Sequence, residues 1–405
     1  MTHSAEFKRR DLLAGGMALT ASAILPSGLS FAATPSDKRL VIILLRGGMD
    51  GLSLFPPFGD KDYQSTRGKL AMEAPNRDDG IIDLDGMFGL HPSAASLIPF
   101  WQRGELAIIP ATATPYRGRS HFDAQEVLEN GTDQPGGAYD GWLNRALKVM
   151  GGTGTPAISV SKQVPFILQG GAKTTAWSPN ELPDPVLGFY EKLRLLYKED
   201  TLLGPMLADG LRNKKVMEST LSKDDLNSAK SARKVQDLDV MAKLAGRYLT
   251  HKDGPRVAVL EASGWDTHVQ QGLETGRLAR KFASLSAGLD ALHEEMSPVW
   301  DKTVIVAISE FGRTVSPNGS SGTDHGTAGA ALLLGGAVIG GKITGAWPGL
   351  SKNNLYEGRD LKPTVDTRAI FKRVLQDHMK ISPRDINNII FPRSNAAKPL
   401  KGLIR

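Results

Sequence analysis

Residues 303–309, Thr-Val-Ile-Val-Ala-Ile-Ser, decide how this sequence is interpreted. The β-branched, apolar run predicts a fully buried strand. It ends abruptly in Glu310 and Arg313, and a Gly/Ser loop then leads to Asp324 and His325. Because the carboxyl ends of strands in an open parallel sheet face the ligand crevice, these side chains are candidates for binding a ligand or a metal.

Two other apolar runs end in the same way. Residues 40–45 are followed by a glycine-rich turn and Asp50, and residues 256–262 are followed by Asp266 and His268. Asp50 precedes Gly51, and because Asp-Gly is a common turn dipeptide, a turn residue is the alternative interpretation of Asp50. Asp266 and His268 lie two positions apart, so they converge only if the segment is a loop or an extended chain.

A fourth segment offers a hydroxyl group. After the predicted strand 106–110, Ser120 precedes a helix that runs to about Glu129, and it is expected to be the N-cap. One interpretation gives Ser120 only this capping role. The other makes Ser120 a nucleophile at a helix N-terminus, with Arg117 and Arg119 beside it to hold an oxyanion.

Strands that alternate with helices predict an α/β fold with a largely parallel sheet. Residues 276–296 have a clean apolar stripe, which predicts a helix packed on that sheet. Residues 183–250 are helical and polar in pattern, and we interpret them as a helical insertion that covers the crevice. This insertion could be a lid, or a solvated helical layer.

Composition limits the chemistry. The chain has 405 residues, a net charge of +6 and no cysteine, so disulfides, thiolate metal sites and thiol catalysis are excluded. Any metal must be held by Asp, Glu and His, which suits hard or borderline divalent ions. The positive excess is spread thinly, without a basic run, so we expect no nucleic-acid partner.

Residues 1–32 are typical of an export signal. Lys8-Arg9-Arg10-Asp11 resembles the twin-arginine motif, and residues 30–32 offer a cleavage point with small side chains. The alternative is a membrane anchor, but the apolar segment is short and broken by glycine and proline. We therefore expect a periplasmic or secreted protein whose mature part, 33–405, is a single domain without a membrane span.

The polar groups at strand ends come from four or five separate segments. In chain order they are Asp50, Ser120, Asp266, His268, Glu310, Asp324 and His325. Carboxylates and imidazoles gathered in this way can hold two divalent ions about 3.5–4 Å apart and activate a hydroxyl group or water.

These residues also carry a family resemblance. The sequence resembles the bacterial, twin-arginine-exported family catalogued as domain of unknown function 1501, within the alkaline phosphatase and sulfatase superfamily. The motifs that carry it are Arg46-Gly-Gly-Met-Asp50-Gly51, Arg119-Ser-His-Phe122, Gly264-Trp-Asp-Thr-His268, Ser309-Glu-Phe-Gly-Arg-Thr314 and Thr323-Asp-His-Gly326. The resemblance implies an alkaline-phosphatase-like three-layer sandwich, with helices on both faces of a mostly parallel sheet.

The resemblance also implies roles. Asp50 and Glu310 would hold one metal together with Ser120, the nucleophile that attacks phosphorus or sulfur. The other metal would be held by Asp266, His268 and His325, and Asp324 could replace a ligand missing from the site of Asp50 and Glu310. Arg119 or Arg313 would hold the non-bridging oxygens. The metals would be Zn or Mg, Mn or Ca.

The chain departs from the superfamily pattern in two places, with Asp266-Thr-His268 in place of Asp-x-x-x-His and Glu310-Phe311 in place of Asp-His. The leading hypothesis is an exported, metal-dependent hydrolase of phosphate or sulfate esters, acting on a small anionic ester or on a glycan or lipid headgroup. A transferase would use the same site. The alternative is a catalytically degenerate member that binds or assembles with another exported protein.

Overall fold

The computed structural model describes residues 37–405, except 76, 78, 152–155, 162, 178–187, 202 and 221–237. The predicted export signal, residues 1–32, lies outside the described residues, as does part of the predicted insertion 183–250.

A nine-stranded sheet organises the chain, and a two-stranded ribbon lies apart from it. The strands are β1 Arg39–Arg46, β2 Ile82–Asp83, β3 Gly89–Leu90, β4 Leu106–Ala113, β5 Ala157–Val160, β6 Thr174–Trp177, β7 Val257–Ser263, β8 Thr303–Ile308, β9 Gly329–Leu334, β10 Lys342–Ile343 and β11 Val365–Asp366. Strands β2 and β3 form the antiparallel ribbon.

The order across the main sheet is β10-β4-β9-β8-β1-β7-β5-β6, and β11 also pairs with β4. Strand β1 pairs in parallel with both β7 and β8, and β5 is parallel to β6 and β7. Strand β9 runs antiparallel to both of its neighbours, β4 and β8. The sheet is therefore mostly parallel, and the carboxyl ends of β1, β4, β7 and β8 lie at the same edge as the amino end of β9.

Helices cover both faces of the sheet. The α-helices are α1 Gly51–Leu54, α2 Tyr63–Arg67, α3 Ile98–Gln102, α4 His121–Asn130, α5 Trp142–Met150, α6 Phe189–Leu196, α7 Leu203–Thr220, α8 Leu238–Thr250, α9 Arg277–Met296, α10 Thr367–Arg373 and α11 Pro383–Asp385. Short 3₁₀ and π segments, among them Pro92–Leu97, Ser297–Lys302 and Val374–His378, join or extend them.

The core has two main parts, one on each face of the sheet. Helices α8 and α9 pack on one face through the stripe that includes Leu285 and Leu289. Helices α5 and α10 pack on the other, around Trp142 and Phe371. The alternation along β1 explains this division, since Val41 and Ile43 face one core and Leu40 and Ile42 the other. The predicted α/β fold with helices on both faces is confirmed.

The predicted helical insertion divides into parts of different character. Helix α6 has no buried residue, whereas α8 packs closely against α9 and β7. Within the described part of the chain, no helix combines the length and the apolar character that crossing a membrane requires.

Candidate metal centre

Four side chains converge at the carboxyl edge of the sheet. They come from His121 at the start of α4, Asp266 and His268 after β7, and His325 before β9. His268 Nε2 lies 2.9 Å from Asp266 Oδ1 and 3.0 Å from His325 Nε2. His325 Nε2 lies 3.3 Å from Asp266 Oδ1, and His121 Nε2 lies 3.5 Å from Asp266 Oδ2. We call these four residues the imidazole cluster.

The backbone after β7 explains why two members lie on the same side. Trp265 and Thr267 are buried, while Asp266 and His268 between and after them are partly exposed. This alternation is that of an extended segment, in which residues two apart face the same way.

Each imidazole is held through Nδ1 by an oxygen atom outside the cluster. His121 Nδ1 contacts Glu310 Oε1 at 2.7 Å, and His268 Nδ1 contacts Asp324 Oδ1 at 3.0 Å. His325 Nδ1 lies 2.9 Å from the carbonyl oxygen of Arg119. Because carboxylate and carbonyl oxygens only accept, Nδ1 is the donor in each pair, and Nε2 of the neutral ring is left with its lone pair. This is how histidine ligands of metals are oriented in proteins.

The spacing of the donors fits a single small ion. Tetrahedral zinc with Zn–N bonds of about 2.0–2.1 Å has neighbouring ligand atoms about 3.3 Å apart. The four contacts within the cluster run from 2.9 to 3.5 Å. One ligand atom from each of His121, Asp266 and His325 lies within 4.8 Å of the other two. His121, Asp266 and His325 therefore have the ligand types and the spacing of a mononuclear site, and His268 adjoins it through Asp266 and His325.

One polar atom of this cluster lacks a hydrogen-bond partner. His121 Nε2 is buried, and no described residue makes a hydrogen bond with it. A buried polar atom without a partner costs about 1–3 kcal/mol, so its presence here calls for a ligand. A divalent ion at the cluster would fill that role, and the residues present fit the metal that the sequence predicted.

The charges around the cluster keep its carboxylate ionised. Burial opposes ionisation of Asp266, but Arg313 Nη1, at 2.6 Å from Asp266 Oδ1, outweighs burial and holds the pKa of that carboxyl below its usual range. Burial lowers the pKa of His325, which favours the neutral ring. The hydrogen bond that His121 donates to Glu310 raises the pKa of His121, so that ring binds a proton more tightly while no metal competes for it.

Glu310 contacts a histidine of the cluster without belonging to the cluster. Its Oε1 atom accepts from His121 Nδ1, from Gln125 Nε2 at 3.1 Å and from the backbone nitrogen of Gly47 at 2.9 Å. Burial raises the pKa of Glu310, but these donors outweigh burial and the pKa is lowered. With its oxygens occupied in this way, Glu310 orients a histidine. Asp324 does the same for His268, with Asn318 as its other donor.

Asp50 is not brought to the cluster. It caps α1 and is 1% exposed, and its Oδ2 atom accepts from Arg67 Nη2 at 2.7 Å, Ser53 Oγ at 2.9 Å and Gln271 Nε2 at 3.0 Å. The predicted second metal site, made by Asp50 and Glu310, is therefore not assembled. The physical reason is a buried ion pair that the sequence did not predict, because Arg67 neutralises Asp50 inside the protein.

The predicted catalytic residues are distributed around the cluster. The hydroxyl of Ser120 caps α4 by accepting from the backbone of Asp123, and Ser120 lies between Arg119, whose carbonyl holds His325, and His121. The Arg119 guanidinium is engaged by Glu357 at 2.5 Å and Asp360 at 2.9 Å. Arg313 is fully buried and holds Asp266, so it is not placed to receive substrate oxygens.

His121 is the member of the cluster that sequence reasoning did not select. It follows Ser120 in the Arg119-Ser-His-Phe122 motif, and the functional role predicted for this motif was assigned to the Ser120 hydroxyl instead. The signal was present, because a residue at the first position of a helix that starts at the carboxyl edge of the sheet shares that edge with the other ligands.

The fold and the cluster together define an α/β protein with a candidate mononuclear metal centre at the carboxyl edge of its sheet. Comparison with known families adds the specific assignment. The chain belongs to the family described as "Protein of unknown function (DUF1501)", whose model matches residues 37–390, and this confirms the family suggested by the motifs. No curated protein sequence matches the chain.

Solved structures show distant likeness. The C-terminal periplasmic domain of EcEptC from Escherichia coli, in complex with Zn, is 9% identical over 75% of this chain and 74% of that one, with a TM-score of 0.36. The lipoteichoic acid synthase LtaP from Listeria monocytogenes is 10% identical over 76% and 67%, with a TM-score of 0.34. The phosphonate monoester hydrolase of Agrobacterium radiobacter is 11% identical over 84% and 73%, also with a TM-score of 0.34.

Proposed function

We propose that this protein is an exported, metal-dependent hydrolase of phosphate or sulfate esters, with the imidazole cluster as its metal centre. One observation carries the proposal. Three imidazoles from separate segments, each oriented through Nδ1, direct Nε2 toward one carboxylate, and one of those nitrogens is buried without a hydrogen-bond partner.

The ligand set favours one ion of the zinc type. Imidazole nitrogens suit zinc and its neighbours, whereas magnesium and calcium prefer sites made of oxygen atoms. A bound ion of this kind supplies a Lewis acid that polarises an ester oxygen and lowers the pKa of a coordinated hydroxyl group or water.

The chain's own residues have separate tasks in this proposal. Asp266 contributes negative charge, and Arg313 fixes its orientation through a buried ion pair. Glu310 and Asp324 fix the tautomers of His121 and His268. Ser120 is the proposed nucleophile because its hydroxyl stands at the N-terminus of α4 between two residues that contact the cluster.

Export by the twin-arginine route is part of the proposal, and it rests on the motif Lys8-Arg9-Arg10 and the small residues before position 33. Fusing residues 1–40 to a reporter that folds in the cytoplasm before export, and is then located by cell fractionation, tests it. The reporter should be exported, and replacement of Arg9 and Arg10 by lysine should leave it in the cytoplasm.

The hydrolase proposal is tested with the protein purified from its exported form. We expect elemental analysis to give about one equivalent of a transition metal per chain, and an ester panel of aryl phosphates and sulfates to show turnover that a chelator removes. His325→Ala should lose the metal and the turnover together. Ser120→Ala should keep the metal and lose turnover.

His293→Ala is the matched control, because His293 lies in α9 against Phe100 and Trp300, away from the cluster. It should retain both metal and activity. A protein that binds no divalent ion, or that turns over equally well after Ser120→Ala, contradicts the proposed mechanism.

The second candidate function is a catalytically degenerate partner of another exported protein. The observation that favours it is α6, which has no buried residue and presents Leu195 and Leu196, 74% and 71% exposed. Stable, stoichiometric association with one exported protein, lost after Leu195→Asp but not after His325→Ala, supports this function.

A further inference from the structure

The backbone of Arg119, the residue before Ser120, has an unusual conformation. Its φ angle is +58°, in the left-handed region that residues other than glycine rarely adopt. Two features of the site depend on this turn, because the Arg119 carbonyl accepts from His325 Nδ1 at 2.9 Å and Ser120 begins α4. A left-handed residue is unfavourable by itself and persists only where surrounding contacts hold it. The contacts that hold Arg119 therefore bear on the imidazole cluster.

The side chain of Arg119 makes two such contacts, both with carboxylates. Its Nε atom donates to Asp360 Oδ2 at 2.9 Å, and its Nη2 atom donates to Glu357 Oε2 at 2.5 Å. The two carboxylates differ in burial, since the side chain of Asp360 is 0% exposed and that of Glu357 is 56% exposed. Breaking a buried ion pair is much more costly than breaking an exposed one. Asp360 is therefore the main anchor of Arg119.

Asp360 also contacts the segment that carries His325. Its Oδ2 atom accepts from the hydroxyl of Thr327, two residues after His325, at 2.8 Å. Its backbone pairs with Thr314 in an antiparallel bridge, and the backbone nitrogen of Thr314 donates to the carbonyl of Asp324 at 2.9 Å. Asp360 thus joins the turn before α4 to the chain on both sides of His325.

We propose that Asp360 is a positioning residue of the metal centre. It holds Arg119 in the left-handed conformation, and that conformation directs the Arg119 carbonyl to His325. The contact at Nδ1 fixes which nitrogen of His325 faces the cluster, and loss of a contact of this kind lowers metal affinity about 10- to 100-fold. This inference rests on the proposed function, since it assigns a task at the metal centre to a residue outside the imidazole cluster.

The family resemblance implies a different task for Arg119, in which its guanidinium holds the non-bridging oxygens of the substrate. The pairing favours the positioning role, because Asp360 and Glu357 already balance the charge of this guanidinium and accept from its Nε and Nη2 atoms. The two roles differ in what they affect. A positioning residue acts on metal affinity, whereas a substrate contact acts on turnover and leaves metal affinity unchanged.

The test replaces Arg119 with alanine and with glycine. Both changes remove the guanidinium and leave Asp360 without that partner, but only glycine adopts the left-handed conformation without strain. Arg119→Ala should weaken zinc binding about 10- to 100-fold in calorimetric titrations. Arg119→Gly should bind zinc at least about fivefold more tightly than Arg119→Ala, because it avoids the cost of a left-handed residue with a side chain.

Arg393 supplies the matched control. It is an exposed arginine of the C-terminal segment whose φ angle is +56°, so its alanine and glycine variants repeat the same two changes of side chain and backbone. Neither variant should change zinc binding by more than about twofold. The glycine variant should still be the more stable of the two in urea unfolding, which shows that the backbone effect itself is present at both positions.

Asp360→Asn retains the shape of the anchor and removes its charge. It should weaken zinc binding at least about fivefold in the otherwise wild-type protein, through loss of a buried bond between charged groups. In the Arg119→Gly protein the same change should alter zinc binding less than about twofold, because no guanidinium is left for the anchor to hold. Equal effects of Asp360→Asn in the two proteins would show that it does not act through Arg119, and would overturn the inference.

The outcomes for Arg119 separate this inference from the proposed function. Equal zinc affinity of Arg119→Ala and Arg119→Gly, or wild-type affinity in both with turnover lost, overturns the positioning role and leaves the hydrolase proposal intact. If the wild-type protein binds no zinc, the hydrolase proposal fails, and NMR of the metal-free protein labelled with ¹⁵N at histidine decides the inference.

The His325 signals are identified by their loss in His325→Ala. At alkaline pH, His325 should carry its proton on Nδ1 in the wild type and in Arg119→Gly, because the Arg119 carbonyl accepts it there. In Arg119→Ala the ring should become a mixture of the two tautomers. The Nδ1 tautomer in all three proteins would overturn the inference.

Discussion

Replacing His378 with glutamine should make the protein less sensitive to mild acid. His378 is 1% exposed, and its Nε2 atom donates to the carbonyl oxygen of Arg39 at the start of β1, at 2.8 Å. Burial, reinforced by the positive charges of Lys38 and Lys380, lowers the pKa of His378 to about 4. The ring is therefore neutral in the folded protein at pH values where a free histidine is protonated.

The direction in which the free energy of unfolding changes with pH follows from proton binding in the folded and unfolded states. An unfolded histidine has a pKa of about 6.5, so between about pH 6.5 and 4 the unfolded chain binds a proton that the folded protein does not. The free energy of unfolding must then fall as the pH falls through this window. The difference of about 2.5 pKa units corresponds to about 3.4 kcal/mol below pH 4, and to about 2 kcal/mol at pH 5.

Glutamine retains a nitrogen donor for the Arg39 carbonyl but does not titrate. We expect His378→Gln to lose about 2 kcal/mol less stability than the wild type when the pH changes from 7 to 5, since all other titrating groups are common to both proteins. Urea unfolding followed by tryptophan fluorescence at both pH values, in the presence of a chelator, measures this. Equal losses in the two proteins would show that His378 is not held neutral by burial.

Three further predictions concern the site and its support. Glu310→Gln should weaken zinc binding about 10- to 100-fold in calorimetric titrations, with Glu261→Gln unchanged, because only the former removes the negative charge that orients and polarises a ligand histidine. Gly47→Ala should cost more than about 1 kcal/mol in urea unfolding, since φ is +123° and a Cβ atom would lie 2.6 Å from a backbone nitrogen of the loop after β7. Arg67→Met should cost about 3–5 kcal/mol by leaving Asp50 buried without its partner, and adding Asp50→Asn should recover part of that stability.

The sheet was predictable because its strands are short, continuous apolar runs. The runs 40–45 and 303–309 match β1 and β8 closely, and 276–296 matches α9. The direction of β9 was not predictable, since an apolar run of six residues has no feature that distinguishes a parallel from an antiparallel neighbour. The region 56–90 is rich in turn residues and has no long apolar run, yet it contributes the buried Tyr63 and Arg67.

The candidate site was predictable only where the spacing of residues along the chain determines which way their side chains point. Asp266 and His268 share an extended segment, so their convergence followed from alternation. The place of Asp50 depended on Arg67, 17 residues away, and no local pattern pairs them. His121 was missed because two adjacent residues in one motif each had a plausible role, and only the three-dimensional placement of Glu310 distinguishes them.

Asp50 still bears on the cluster, although it holds none of the ligand positions. Gln271 donates to Asp50, and its Oε1 atom accepts from the Thr323 hydroxyl at 2.9 Å. Arg313 Nε in turn donates to that hydroxyl at 3.2 Å and, through Nη1, holds Asp266. A continuous hydrogen-bonded chain therefore links Asp50 to a carboxylate of the cluster. Since a buried polar network is stable only when every member is satisfied, loss of Asp50 should loosen Asp266 as well. Asp50, although remote from the cluster, should then affect metal binding at the cluster by holding the ligand loops in register.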